Sequence, residues 1–177
     1  MNIYSIPPLL SAIILFILSL MGILKAKRSS VNLLFSLICL IGCFLNTDKT
    51  ILTIVQNQST ALKISRIDHM FLVFIIPLYL HFTVLVTGDK KWMSIVKIFY
   101  VVSFLLVPLA QHPLYLKQIR NYYFGCFAIS GPLFYIFGVF STTSLFMSLY
   151  LLFKKLKESK ISVHRTRIKY ILLSFGL

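Results

Sequence analysis

The stretch Asp68–Asp89, DHMFLVFIIPLYLHFTVLVTGD, places twenty residues between its two aspartates with no Lys, Arg, Asp or Glu among them. At 1.5 Å rise per residue, about twenty helical residues cover the roughly 30 Å hydrocarbon core of a bilayer. The run predicts a complete membrane span, interrupted by Pro77 and carrying His81 inside its apolar zone. Pro77 has no N–H, so a helix through it leaves the carbonyl of Val73 without its usual donor. His81 lies about 20 Å along the helix from Asp68 and about 12 Å from Asp89, so neither end brings it easily to water. Groups of this kind face other helices or a wet cavity rather than lipid. This helix is therefore expected at the centre of a bundle whose other spans form its walls.

Composition supports a membrane reading of the whole chain. It is 58% hydrophobic and 12% charged, whereas soluble domains carry about 25% charged residues. The net charge of +14 comes from 18 Lys and Arg against four acids. Those bases sit between apolar runs, where they orient helices and meet anionic head groups, rather than forming a nucleic-acid patch. Cys39 and Cys43 stand one helical turn apart, but no nearby histidine or acid completes a metal site, so they and Cys126 read as buried thiols. Nothing in the chain points to a metal or another cofactor.

The remaining spans follow in order. Pro7-Pro8 suits a first helical turn, and an apolar run to Leu24 is closed by Lys25, Lys27 and Arg28. Positive charge after rather than before the run is the reverse of a secretory signal, so residues 7–24 are span one. Span two is expected over 31–56, with Asp48 near its far interface, and Asn57–Arg66 as the connection to span three at 68–88. Trp92 opens span four, 92–110, as an interfacial anchor, with Lys97 snorkelling outward. Gln111–Tyr123 is expected as a polar, tyrosine-containing loop. Span five, 131–153, begins at Ser130-Gly131-Pro132, with Pro132 at its first helical position and with Gly138, Ser141, Thr142, Thr143 and Ser144 for close packing. Residues 168–177 are too few to cross, so the sixth helix is expected to be incomplete and the chain truncated.

Counting Lys and Arg over alternate loops gives twelve on one side and five on the other. The positive-inside rule then places the amino terminus outside and Lys25, Lys27, Arg28, Lys154, Lys155, Lys157, Arg165 and Arg167 at the cytoplasmic leaflet. Asp48, Lys49, Lys63, Arg66 and Asp68 fall outside, either as a ligand rim or as solvated loop charge.

Three segments carry a family resemblance. Pro77-Leu78-Tyr79-Leu80-His81-Phe82 resembles a proline followed by Leu-His-Phe. Tyr122-Tyr123-Phe124-Gly125 leads to Gly131-Pro132-Leu133-Phe134-Tyr135. Arg165-Thr166-Arg167-Ile168-Lys169-Tyr170-Ile171-Leu172 forms a basic approach to a sixth span. In that order they resemble the seven-helix membrane region at the amino terminus of bacterial sensor histidine kinases, though span two lacks the tryptophan usual in that family. The resemblance implies an all-α polytopic bundle of five full spans plus a truncated sixth, drawn from a seven-helix region, in the bacterial inner membrane. It also implies a sensory input module with an unknown stimulus ligand, a cytoplasmic kinase domain in a longer parent, and a second copy as dimer partner. Pro77 and His81 are the candidates for a bistable, partly hydrated element, with Asp68 and Asp48 as accompanying ligand candidates. A packing role for His81 stays open.

Enzyme readings fail on motif grounds. HExxH and GxSxG are absent, no acid pair lies mid-span, and His164 is followed by Arg165 rather than the acid of a phosphorylation site. The competing classes are a small transporter or channel component, which would also favour a broken helix, and a structural membrane subunit.

Overall fold

The computed structural model describes residues 3–25, 29–159 and 162–174. Among them are six α-helices and one β-hairpin: α1 Ile6–Lys25, α2 Ser30–Leu52, α3 Gln58–Thr87, α4 Met93–Ala110, β1 Leu116–Tyr122, β2 Gly125–Ser130, α5 Phe134–Glu158 and α6 Ser162–Ser174. Five helices, α1 to α5, are long and apolar enough to cross a membrane. Lys27 and Arg28 lie outside the described residues, as does the side chain of Lys25.

α3 is the hub. It packs on α2, α4, α5 and the hairpin, while α1 rests on α2 and α6 on α5. Its buried face, including Val73, Ile76, Leu80 and Val84, meets Val96, Phe99 and Leu106 of α4 and Phe137 and Leu151 of α5. Peripheral helices keep large apolar side chains outward, such as Leu10, Ile14 and Ile17 on α1 and Val101, Phe104 and Leu105 on α4. That is how a bundle solvated by lipid distributes its hydrophobic surface.

α3 is longer than the sequence suggests. The polar stretch expected as a connection, Asn57–Arg66, is helical from Gln58 onward. Asn57 caps it, its side-chain oxygen accepting from the N–H groups of Ser59 (2.9 Å) and Thr60 (3.3 Å), which satisfies donors that a helix start leaves free. At the other end Gly88 takes the left-handed conformation (φ 73°) and returns its N–H to the carbonyl of Val84, a turn that glycine makes without steric cost. α2 stops at Leu52 rather than Gln56, because Thr53 and Ile54 close it in a tighter turn. The basic stretch before Ile168 belongs to α6, whose Ile168 and Leu172 pack on Leu152 of α5.

The segment expected as a loop after span four contains a strand. β1 pairs antiparallel with β2 around a two-residue turn at Tyr123-Phe124. Neither Asn-Gly nor Asp-Gly announces that turn; it is held by aromatic contacts among Tyr122, Phe124 and Phe127. Ile119 and Cys126 seat the hairpin on Leu52 and Ala61, where α2 gives way to α3. The hairpin then delays α5. Gly131 donates its N–H to the carbonyl of Tyr115 (2.8 Å) and Leu133 to that of Leu114 (3.0 Å), so Pro132 sits in a turn and the helix begins at Phe134.

Alternation of the helices gives the bundle two faces. One carries the first helix start, the hairpin and the α2–α3 connection. The opposite, basic face carries the α3–α4 connection, where Lys154 donates to Asp89 (3.0 Å), and the α5–α6 connection.

Candidate functional site on the central helix

Asp48 of α2 and Asp68 of α3 meet near the hairpin face, their carboxyl groups within hydrogen-bonding reach of each other. Asp48 is 8% exposed, and its Oδ1 has no hydrogen-bond partner among the described residues. The pair lies at the base of a groove of about 200 Å³ with Phe44, Thr47, Ile51, Ile64, Ile67 and Phe71 as walls. The Phe44 and Phe71 rings stack at 5.6 Å and close one side. Carboxyl groups in contact against apolar walls need a proton between them or a cation beside them. Exposed Lys49 is the cation that acts on both. Although the sequence admits these charges as a solvated loop rim, both acids are helical and Asp48 is buried. Arg66 faces elsewhere, donating to the carbonyl of Leu116 (3.2 Å) and joining α3 to the hairpin.

The second element is the proline break. Pro77 is buried inside a continuous α3. The Val73 carbonyl that it deprives of a donor accepts instead from Ser103 Oγ of α4, at 3.1 Å. Ser144 Oγ of α5 makes a longer contact, 3.4 Å, with the carbonyl of Ile76. Several other hydroxyls in the spans turn back on their own helix, as Thr83 does to Tyr79 and Thr87 to Thr83, while Ser19 of α1 crosses to the carbonyl of Ser36 on α2. The break is thus gripped from two sides. Of the small residues noted in span five, Ser144 is buried against α3, and so is Ser148 further on, whereas Gly138 faces open space.

His81, one turn beyond Pro77, faces α4. Its Nδ1 lies 3.2 Å from the Tyr100 hydroxyl, with the two rings edge to face at 5.9 Å. Since Asp68 and His81 are about 20 Å apart along α3, the carboxyl pair and the histidine are separate sites on one helix. His69, next to Asp68, points its Nδ1 at its own helix, 2.7 Å from the Ser65 carbonyl. A carbonyl only accepts, so that nitrogen carries the proton. Tyr115, fully buried between His69, Phe134 and Phe137, has a hydroxyl with no partner among the described residues. Burial pushes its phenol well above the ordinary tyrosine range.

Against this geometry, the family model described as the N-terminal 7TM region of histidine kinase matches residues 7–177. The chain belongs to that family. No curated protein and no solved structure matches it. Membership makes the bundle a membrane input module of a histidine kinase and implies a kinase domain downstream; the match leaves no room for that domain within these 177 residues.

Ser103 and Tyr100 are the residues that sequence reasoning passed over. Each is a polar group in the stretch of α4 after Lys97, which is otherwise apolar, and a hydroxyl there is the available signal, since it must find an acceptor. Which carbonyl it finds depends on how α4 meets α3. Among the remaining basic candidates, Lys154 is engaged by Asp89, Lys155 is half-buried, and Lys157, Arg165 and Arg167 are exposed at the basic face.

Proposed function

We propose that this histidine kinase 7TM region receives its stimulus at the Asp48–Asp68 groove and passes it along α3 to the basic face. The amino terminus and hairpin lie outside the bacterial cell, and the basic face lies at the cytoplasmic leaflet, as the positive-inside count favours. A stimulus that alters the charge balance of the pair changes how α2 and α3 sit against each other. Pro77 lets the two halves of α3 adjust separately, while His81–Tyr100 and Ser103–Val73 carry the change to α4. Asp89–Lys154 ties the far end of α3 to α5, next to α6, from which a downstream kinase domain would be driven.

The observation that carries this reading is the contact between Asp48 and Asp68. A buried acid with an unpartnered oxygen beside a second acid is costly to fold around, and two states that differ in its compensation differ in free energy, which any ligand-driven switch requires. The test is Asp48→Asn and Asp68→Asn in a parent kinase containing this region, read as autophosphorylation in membranes. Each is expected to shift basal or stimulated output by roughly fivefold or more with membrane insertion unchanged. Wild-type output from both variants would remove the groove from the signal path.

A further inference from the structure

A second cavity lies at the opposite face and serves none of the roles above. It encloses about 500 Å³ between the start of α2, the end of α3, the end of α5 and α6. Lys155, His164 and Arg167 line it, and Phe82, Leu85 and Ile168 provide its apolar wall. Ser29, which precedes α2 and also lines the cavity, makes no side-chain cap to that helix, so the first N–H groups of α2 add further donors and the positive end of a helix dipole. Among the described residues, no acid lines the cavity. Asp89 and Glu158, the acids of this face, line an adjoining recess with Lys154 and Lys155, where Lys154 bonds Asp89. Lys155 thus borders both recesses, whereas His164 and Arg167 line only the cavity without a carboxylate, and they stand above a wall that water does not solvate well.

We propose that this cavity binds one anionic phospholipid, its phosphate held by Lys155, Arg167 and the α2 amino terminus and an acyl chain laid along Phe82, Leu85 and Ile168. A free phosphate would meet the same donors, but it has nothing to place on the apolar wall. The wall is what assigns the source to the membrane. Because α2, α3, α5 and α6 all border the cavity, the bound lipid joins the helices nearest the output to the centre of the bundle. The inference stands independently of the stimulus groove.

The 177-residue chain, extracted in a mild neutral detergent, is examined by native mass spectrometry with phosphatidylglycerol, phosphatidylcholine or sn-glycerol 1-phosphate. One phosphatidylglycerol per chain is expected to be retained in preference to phosphatidylcholine. Lys155→Gln and Arg167→Gln are each expected to lower that retention about fivefold. Lys97→Gln removes an exposed cation on α4 outside the cavity and should leave retention unchanged; an equal loss there would mean diffuse attraction and overturn the site. Leu85→Trp keeps every charge but fills the apolar wall, and it should abolish lipid retention. Circular dichroism of each variant separates lost binding from lost fold, and Arg167→Lys, which keeps the charge, should restore most of the binding. Retention of sn-glycerol 1-phosphate in place of the lipid, or equal retention of both phospholipids, would refute the proposal.

Discussion

Ser103 Oγ of α4 donates to the carbonyl of Val73 on α3 across 3.1 Å, and both residues are fully shielded from the surroundings. That carbonyl is the one Pro77 leaves without a donor four residues later. A proline in the middle of a membrane helix is thus made tolerable by a hydroxyl from the neighbouring helix, a substitution of partners that lipid cannot provide.

The pairing predicts a specific double-mutant result. Ser103→Ala should destabilise the bundle by about 1 kcal/mol, since a buried carbonyl loses its donor. Pro77→Ala restores a backbone N–H to the helix, so Ser103→Ala in that background should cost much less. Unfolding of the four variants in mixed micelles gives the coupling energy, and a value near zero would show that Ser103 does not serve the proline break.

His81 and Tyr100 make a signalling prediction rather than a stability one. His81→Ala in a parent kinase should change output roughly fivefold while the protein still inserts, and Tyr100→Phe should move output in the same direction. Were both variants to respond as wild type does, the pair would be packing alone.

Asp89 and Lys154 set an acid-side pH dependence. The hydrogen bond from Lys154, helped by the nearby Lys154 and Lys91 charges, holds the Asp89 carboxyl below its usual value of 3.8. A carboxylate lowered in the folded state adds stability above its unfolded pKa and loses it as pH falls through the folded one. The contribution should therefore be complete at neutral pH and disappear below about pH 4. Melting curves across that range should lose this component in Asp89→Asn. High salt should weaken it, since the pair is exposed to solvent.

Gly131 tests the hairpin junction. A Cβ there would run into the carbonyl of Leu114, which is itself bonded to the Leu133 N–H. Gly131→Ala is expected to cost about 1–3 kcal/mol and to lower the melting temperature in detergent. Gly138→Ala, at a position with open space around it, should leave the melting temperature unchanged or raise it slightly.

The spans were legible because they follow from a local quantity. A run of about twenty uncharged residues is long enough to cross a bilayer wherever it occurs, so the helices and the centrality of the one broken by Pro77 can be read from the chain. The need for a substitute donor at Val73 was equally readable, because a missing N–H is a property of proline alone. Its supplier was not, since Ser103 lies thirty residues away and is found only once α4 is packed. Asp48 and Asp68 show the same division. Their charge is written in the sequence, but their contact depends on the end of α2 meeting the early turns of α3, which in turn depends on the Asn57 cap extending α3 through a polar stretch. The hairpin was hidden for a related reason: its turn carries aromatic residues whose worth comes from packing on one another. Hydrophobic length acts through the solvent and is additive along the chain; pairing of buried polar groups is decided by which helices touch, and that belongs to the folded bundle.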